Sequence, residues 1–270
     1  IQMADWYTFK DPRQFYYGTY TLARARQQEA TEGAFSFVEE RGLVPTLPAT
    51  VRQQALAVLL PLRHLEWGAN MNNDFICAYG YGTAVTQPAL FHAMDRLGIA
   101  QYLTRIGLTL GSPDDLDAAK QAWLDAPAWQ GLRRYVEDTF VLEDWFELFV
   151  AQNMVLDGLL YPLAYQHFDV ALTQQGGTAV SMLTQFMRDW KAESDKWLDA
   201  TLKTAAAESP ANAAQLHAWV SKWEARALEA LAPFATLALG EAGGAALTEV
   251  HSQWRGRLTK LGVAPQGAAA

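Results

Sequence analysis

The sequence predicts an all-α protein, a four-helix bundle core with additional helices at its N- and C-terminal ends. Three observations carry this. No segment alternates apolar and polar residues strictly and no Asn-Gly hairpin signal occurs, so a sheet has no support. Apolar stretches of helical length are instead separated by Gly and Pro. Two pairs of long helical segments, 49–110 and 139–204, share one layout, as duplicated halves of a bundle would.

Taken in order, residues 6–41 read as a first helix. Asp11-Pro12 supplies a cap and a first-turn proline, and Tyr16, Tyr20, Leu22, Phe35 and Val38 follow before Gly42. Pro45 and Pro48 mark a linker. The helix 49–79 contains Pro61, which removes a backbone donor and crowds the preceding turn, so a kink is expected there. Tyr79-Gly80-Tyr81-Gly82 makes a corner, and 83–110 is the third long helix, closed by Gly111-Ser112-Pro113. Ser112-Pro113-Asp114-Asp115 starts a short helix to Ala126, and Pro127 divides it from one beginning near Trp129. Residues 141–170 are apolar on nearly every side, through Trp145, Phe149, Met154, Leu159 and Leu163, which marks a central helix. Gly176-Gly177 breaks the run, and 178–204 follows with Met182, Phe186, Asp189 and Glu193 on one face. Ser209-Pro210 opens a helix to about Ala232, and 248–261 forms the last. The closing Gln266-Gly267-Ala268-Ala269-Ala270 is of low complexity. One domain is expected over 1–270, with an N-terminal helical arm at 1–47, the bundle core at 48–208 and a C-terminal helical extension at 209–270.

A net charge of -8 with no basic cluster argues against nucleic acid or an anionic membrane as partner. The single cysteine, Cys77, forms no internal disulfide, which points to a reducing, cytoplasmic setting. Residues 75–94 carry no charge, yet Gly80, Gly82 and Pro88 interrupt them. In lipid those breaks would strand backbone groups, so a buried helix–corner–helix is expected instead of a membrane span.

Phe91, Asp95, Gly98 and Tyr102 are spaced to share one helix face, which places a carboxylate in expected core. In carboxylate-bridged di-iron bundles such a face carries Glu-x-x-His, whereas here the slot reads Asp95-Arg96-Leu97-Gly98. Pro61, Ala89, Ala164, Ala214 and Thr248 stand three residues before the five histidines, so no acid-x-x-His motif exists. His64-Leu65-Glu66 offers two ligands of a facial triad without a third, and the plainer reading is a polar corner with Arg63. Asp95, Asp157 and Asp189 lie on apolar helices, where pairing with arginine is the expected arrangement because an unpaired buried charge costs several kcal/mol. For Asp95 and Asp189 the candidate partners are Arg96, Arg188 or an arginine from another helix. The segments 6–20 and 63–81 combine aromatics with Arg and His, a composition suited to subunit contacts.

Several stretches together resemble the β subunit of the hydroxylase component of bacterial multicomponent monooxygenases, most of all multicomponent phenol hydroxylase. They are Trp6 with Phe9-Lys10-Asp11-Pro12 and the run from Tyr16 to Tyr20, Leu62-Arg63-His64-Leu65-Glu66-Trp67-Gly68-Ala69-Asn70, Tyr79-Gly80-Tyr81-Gly82-Thr83 and Met94-Asp95-Arg96-Leu97-Gly98-Ile99-Ala100-Gln101. The resemblance implies a ferritin-like fold and a di-iron centre held by a related α subunit. Laid on that pattern, Asp95 and Gly98 fall at the first Glu-x-x-His pair, Asp189 and Ala192 at the second, and Glu66 and Asp157 near the remaining two carboxylates. It therefore implies a chain without catalytic, cofactor or metal residues of its own. The implied partners are the α and γ subunits and a second protomer, with a regulatory protein and a separate reductase acting on the complex. NADH, FAD and an iron–sulfur cluster are expected in that reductase. Two alternatives compete: a degenerate ferritin-like protein binding metal through Glu66, Asp95, Asp157 and Asp189, and a free-standing helical binding module.

Overall fold

Prolines, glycines and capping side chains set the helix boundaries. In the computed structural model, which describes residues 1–264, Trp6–Thr8 is a single 3-10 turn. α1 spans Tyr17–Glu40, α2 Ala49–Leu59, α3 Leu62–Tyr79 and α4 Thr83–Leu110. α5 (Pro113–Asp125) opens on a capping box between Ser112 and Asp115, and α6 is Pro127–Thr139. A continuous helical run over 145–174 comprises α7 (Trp145–Phe149), a π-helical segment Val150–Leu156, α8 (Asp157–Pro162), a second π segment Leu163–His167, and α9 (Phe168–Gln174). α10 (Thr178–Leu183), α11 (Gln185–Glu208), α12 (Pro210–Leu239) and α13 (Gly243–Leu261) complete the chain. No strand occurs among the described residues. The low-complexity tail 266–270 lies outside them.

Several boundaries differ from the sequence reading, each for a local reason. The expected helix 6–41 begins only at Tyr17. Asp11 does not cap it but takes the Arg13 backbone N–H and guanidinium, and Gln14 turns the chain with a positive φ of 55°. Pro61 separates α2 from α3 outright, as its missing donor and ring clash favour. The break in 178–204 falls at Thr184. Helix α12 runs past Pro233 to Leu239, because Leu231, Phe234, Ala235 and Ala238 keep that turn in the core despite the lost hydrogen bond. α13 starts at Gly243, where a Cβ would lie 2.3 Å from the Ala235 carbonyl oxygen, so only glycine allows so close a turn between α12 and α13. The π segments had no counterpart in the sequence reading.

The tightest pairing is the antiparallel α3–α4 hairpin, which faces the 145–174 run and α11. α12 crosses α6, the first π segment, α11 and α13. One continuous apolar core reaches from Phe9 to Val263. Trp129, Trp190, Trp197 and Trp223 are almost completely buried in it, each contributing at least the ~1.5–3 kcal/mol of a large apolar side chain. The charge-free stretch 75–94 is indeed a helix–corner–helix, the end of α3 and the start of α4. Over Pro210–Leu261 the chain is long and apolar enough to cross a membrane by length and composition, but there it forms two helices that pack Leu216, Trp223, Phe234 and Trp254 into the core.

Candidate functional site

The helical wheel of α4 places two neighbouring residues on different surfaces, and the site follows from that. His92, Arg96, Ile99, Leu103, Ile106 and Leu110 form the stripe that enters the bundle. Asp95 lies one position back and looks toward α1 instead. Arg96 is fully buried, with Nε 2.7 Å from Glu66 Oε2 on α3 and Nη1 donating to Asp157 Oδ2 on α8 at 2.9 Å. The Nε contact is an ion pair by distance rather than an aligned hydrogen bond. The guanidinium also lies 5.2 Å from the Tyr161 ring centroid and 5.3 Å from that of Trp190, within cation–π range.

Both carboxylates have further partners. Tyr161 donates its hydroxyl to Glu66 Oε1 at 2.8 Å, and Gln152 donates Nε2 to Asp157 Oδ1 at 3.0 Å. Asn72 donates to Gln152 and to Thr139, tying the cluster to α6. Burial pushes the Glu66 carboxyl up to about 7 against the pull of Arg96, with Asp157 adding to the rise. Burial raises Asp157 as well, again against Arg96. For Arg96, burial works against the charge, but Asp157 and Glu66 outweigh it and hold the guanidinium protonated.

Asp95 is the hub of a second network. It accepts the Tyr20 hydroxyl (2.8 Å) and Arg24 Nε (2.6 Å) on Oδ1, and Arg24 Nη2 (2.6 Å) and Trp190 Nε1 (2.9 Å) on Oδ2. Arg24 also reaches Glu193 on α11, so the network clamps α1 across α4 and α11. The expectation of arginine pairing thus holds for Asp95, through a different helix, and for Asp157, through Arg96. It fails for Asp189. That residue and Ala192 are exposed, Asp189 is held only by Gln185 Nε2 at 2.7 Å, and Arg188 pairs with Asp169. On α11 the inward positions are Trp190, Lys191, Ser194 and Trp197, about one residue away from the register expected. Gly98 is half-buried, its Cβ position open, on the wall of a cleft of about 340 Å³ that it shares with Tyr20, Asp95 and Tyr102.

His64 and Glu66 do not act together. Two residues apart on a helix they diverge by about 200°, so Glu66 enters the bundle while His64 stacks on Trp123 beside Arg63. Burial, with Arg63 and Lys120, lowers His64 to about 4. His92 is the ring nearest the centre, wedged at 4.8 Å from Trp190 and 5.5 Å from Trp197, with neither nitrogen hydrogen-bonded within the chain. Burial, reinforced by Arg96, Arg13, Lys191 and Arg24, keeps it neutral. Among the described residues no three His, Cys, Asp or Glu side chains converge as a metal site. The residues do not fit a di-iron centre: a permanent cation stands between the two carboxylates, and no imidazole joins them. Sequence reasoning named Glu66, Asp95 and Asp157 and offered Arg96 as a partner for Asp95; what it missed is that Arg96 instead joins Glu66 to Asp157, although its place in the apolar stripe beginning at His92 was readable.

A helical bundle of paired long helices, centred on carboxylates facing one another across the core, is the ferritin-like architecture with extra helices at each end. The chain belongs to the methane/phenol/alkene hydroxylase family, which it matches over residues 1–209. It is 56% identical over 265 residues, 97% of this chain and 79% of the relative, to the phenol 2-monooxygenase oxygenase component DmpL of Pseudomonas sp. (strain CF600). A chain of the xenon-pressurised crystal structure of phenol hydroxylase from Pseudomonas sp. OX1 superimposes with a TM-score of 0.93 at 45% identity, over 99% of this chain and 81% of that one. A more distant relative, 24% identical over 83% of this chain and 69% of its own length, is the toluene-4-monooxygenase hydroxylase component subunit beta of Ectopseudomonas mendocina. The protein is accordingly a subunit of a hydroxylase component.

Proposed function

We propose that the chain is the non-catalytic β subunit of a multicomponent monooxygenase that hydroxylates phenol or related aromatics with O2 and electrons from NADH. The observation that carries this reading is Arg96 between Glu66 and Asp157: the place where two fully buried carboxylates meet among the described residues is filled by a protein cation. The kinship to a chain named subunit beta agrees with it. Iron then belongs to an α subunit, and FAD and the iron–sulfur cluster to a separate reductase. We assign the single domain 1–270, with its arm, core and extension, a role in assembling an (αβγ)2 hydroxylase in the cytoplasm.

The surface supports an assembly role. Trp67 and Met71 on α3, and Leu90, Met94, Leu97 and Leu108 on α4 paired with it, are all substantially exposed although large and apolar. Tyr7, Tyr16 and Tyr17 of the arm and Tyr79 and Tyr81 of the corner are more than half exposed. Large apolar side chains exposed in this number on one helix pair support partner contacts. These residues fall in the segments 6–20 and 63–81 and along the outer stripe of α4. The test is co-purification: the chain isolated from its host should arrive with fixed amounts of other hydroxylase polypeptides, the iron following those. Isolation as a stable monomer, or with iron bound to this chain alone, would overturn the reading.

A further inference from the structure

We infer that Arg96 is the resident cation of this bundle and that its side chain alone keeps Glu66 and Asp157 from binding a divalent metal. The inference deepens the non-catalytic reading and rests on it. Two carboxylates delivered to one spot by α3 and α8, each at most 1% exposed, repel one another and need a shared cation. Three arrangements meet that need in a protein interior: a metal ion, a protonated side chain, or a proton taken up by one of the acids. Arg96 supplies the second, lying against both acids at 2.7 and 2.9 Å and within cation–π range of the Tyr161 and Trp190 rings. One positive charge faces two acids, and the Tyr161 hydroxyl donated to Glu66 and the Gln152 amide donated to Asp157 disperse the remaining negative charge.

Without the guanidinium, the same spot would present Glu66, Asp157 and the Tyr161 hydroxyl, with Gln152 holding the aspartate from behind. That is an oxygen-rich set of the kind hard and borderline divalent ions accept. A neutral side chain with one donor atom at position 96 would add a further ligand while removing the repulsion. Arg96→His adds a nitrogen and Arg96→Gln an amide oxygen. Arg96→Lys keeps the charge. The acids themselves are already held, Glu66 by Tyr161 and Asp157 by Gln152, facing the space that the guanidinium fills.

The experiment uses the full chain isolated with whatever polypeptides accompany it, and Co2+ alone as the probe. Bound Co2+ is counted after desalting, always as the excess over wild type treated identically, and thermal midpoints are recorded with and without the ion. Arg96→His and Arg96→Gln should each gain about one Co2+ per chain and a higher midpoint on its addition. Arg96→Lys should gain none, and adding Glu66→Gln to either responsive variant should abolish the gain. Absence of extra Co2+ in both neutral variants, with wild type also empty, would overturn the inference while leaving the non-catalytic reading intact. Co2+ held by wild type itself and lost on Glu66→Gln would overturn both. Failure of both neutral variants to accumulate even in cells supplied with Co2+ also counts against it, since metal would then be unable to take the guanidinium's place.

Discussion

Asp95→Asn separates a structural role for this acid from a catalytic one. The amide accepts through one oxygen only, so its NH2 group must face either Arg24 Nη2 and Trp190 Nε1 or Tyr20 Oη and Arg24 Nε. Whichever way it turns, at least one arginine donor in a site only 4% exposed loses its acceptor, at about 1–3 kcal/mol for each donor lost, while the Tyr20 hydroxyl can turn to the Phe91 carbonyl. The guanidinium is not left wholly unpaired, because Glu193 stays 2.7 Å from Nη2. A net loss of about 3 kcal/mol is therefore expected, less than the ~3–5 kcal/mol of a fully orphaned buried charge. At about 2–4 °C per kcal/mol for a chain of this size, the unfolding midpoint should fall by roughly 6–12 °C. The assay is the thermal midpoint, iron content and phenol hydroxylation of the reconstituted complex, each per assembled complex. Iron and turnover should match wild type. An unchanged midpoint would refute the hydrogen-bond accounting, and iron lost from an intact assembly would refute the structural role.

Asp189→Asn should change stability by no more than about 0.5 kcal/mol, because this exposed acid has only Gln185 as partner; a drop matching that of Asp95→Asn would show that it is buried in the assembly. His92→Phe should be increasingly favourable as pH falls. A histidine whose folded pKa is depressed contributes stability above its ordinary value near 6.5 and loses it below, at up to about 1.4 kcal/mol per pH unit, and phenylalanine has no proton to take up. Denaturant melts of both proteins between about pH 7 and 5 read the difference directly, and parallel pH profiles would contradict it. Trp67→Lys combined with Leu97→Lys should leave the folding of this chain within about 1 kcal/mol of wild type while abolishing co-purification of its partners; undiminished recovery of the partners would place the interface elsewhere.

Helix type and most helix limits were legible because proline, glycine and Ser-Pro-Asp-Asp signals act locally. Ser112, Pro127 and Pro210 start helices where the chain says they should. Asp11-Pro12 misled because a neighbouring arginine took the capping carboxylate. The acids were legible too, since a carboxylate on an apolar helix demands an explanation. Their partners were not: Arg24 is 71 residues from Asp95, and Arg96 is 61 from Asp157. Spacing along one helix says which face a residue occupies only to within about half a turn, and Asp189 shows how a one-residue error moves a side chain from core to solvent. The π segments, which set the angle of Asp157, arise from packing across the bundle and leave no local signature.

Those two π segments isolate a single short stretch, Asp157–Pro162, from the helix on either side. Each wide turn accommodates more chain per revolution than an α-turn does, and one residue more or less rotates everything beyond it by about 100°. A deletion in Val150–Leu156 matched by an insertion in Leu163–His167 would therefore swing Asp157 and Tyr161 away from Arg96 as a block. Trp145 and Phe168, outside the pair, would keep their orientation. The stretch behaves like a dial set between two fixed collars, and its angular setting is locked to its neighbours, since Gly158 faces Trp254 where a Cβ would come within 2.6 Å of the indole nitrogen.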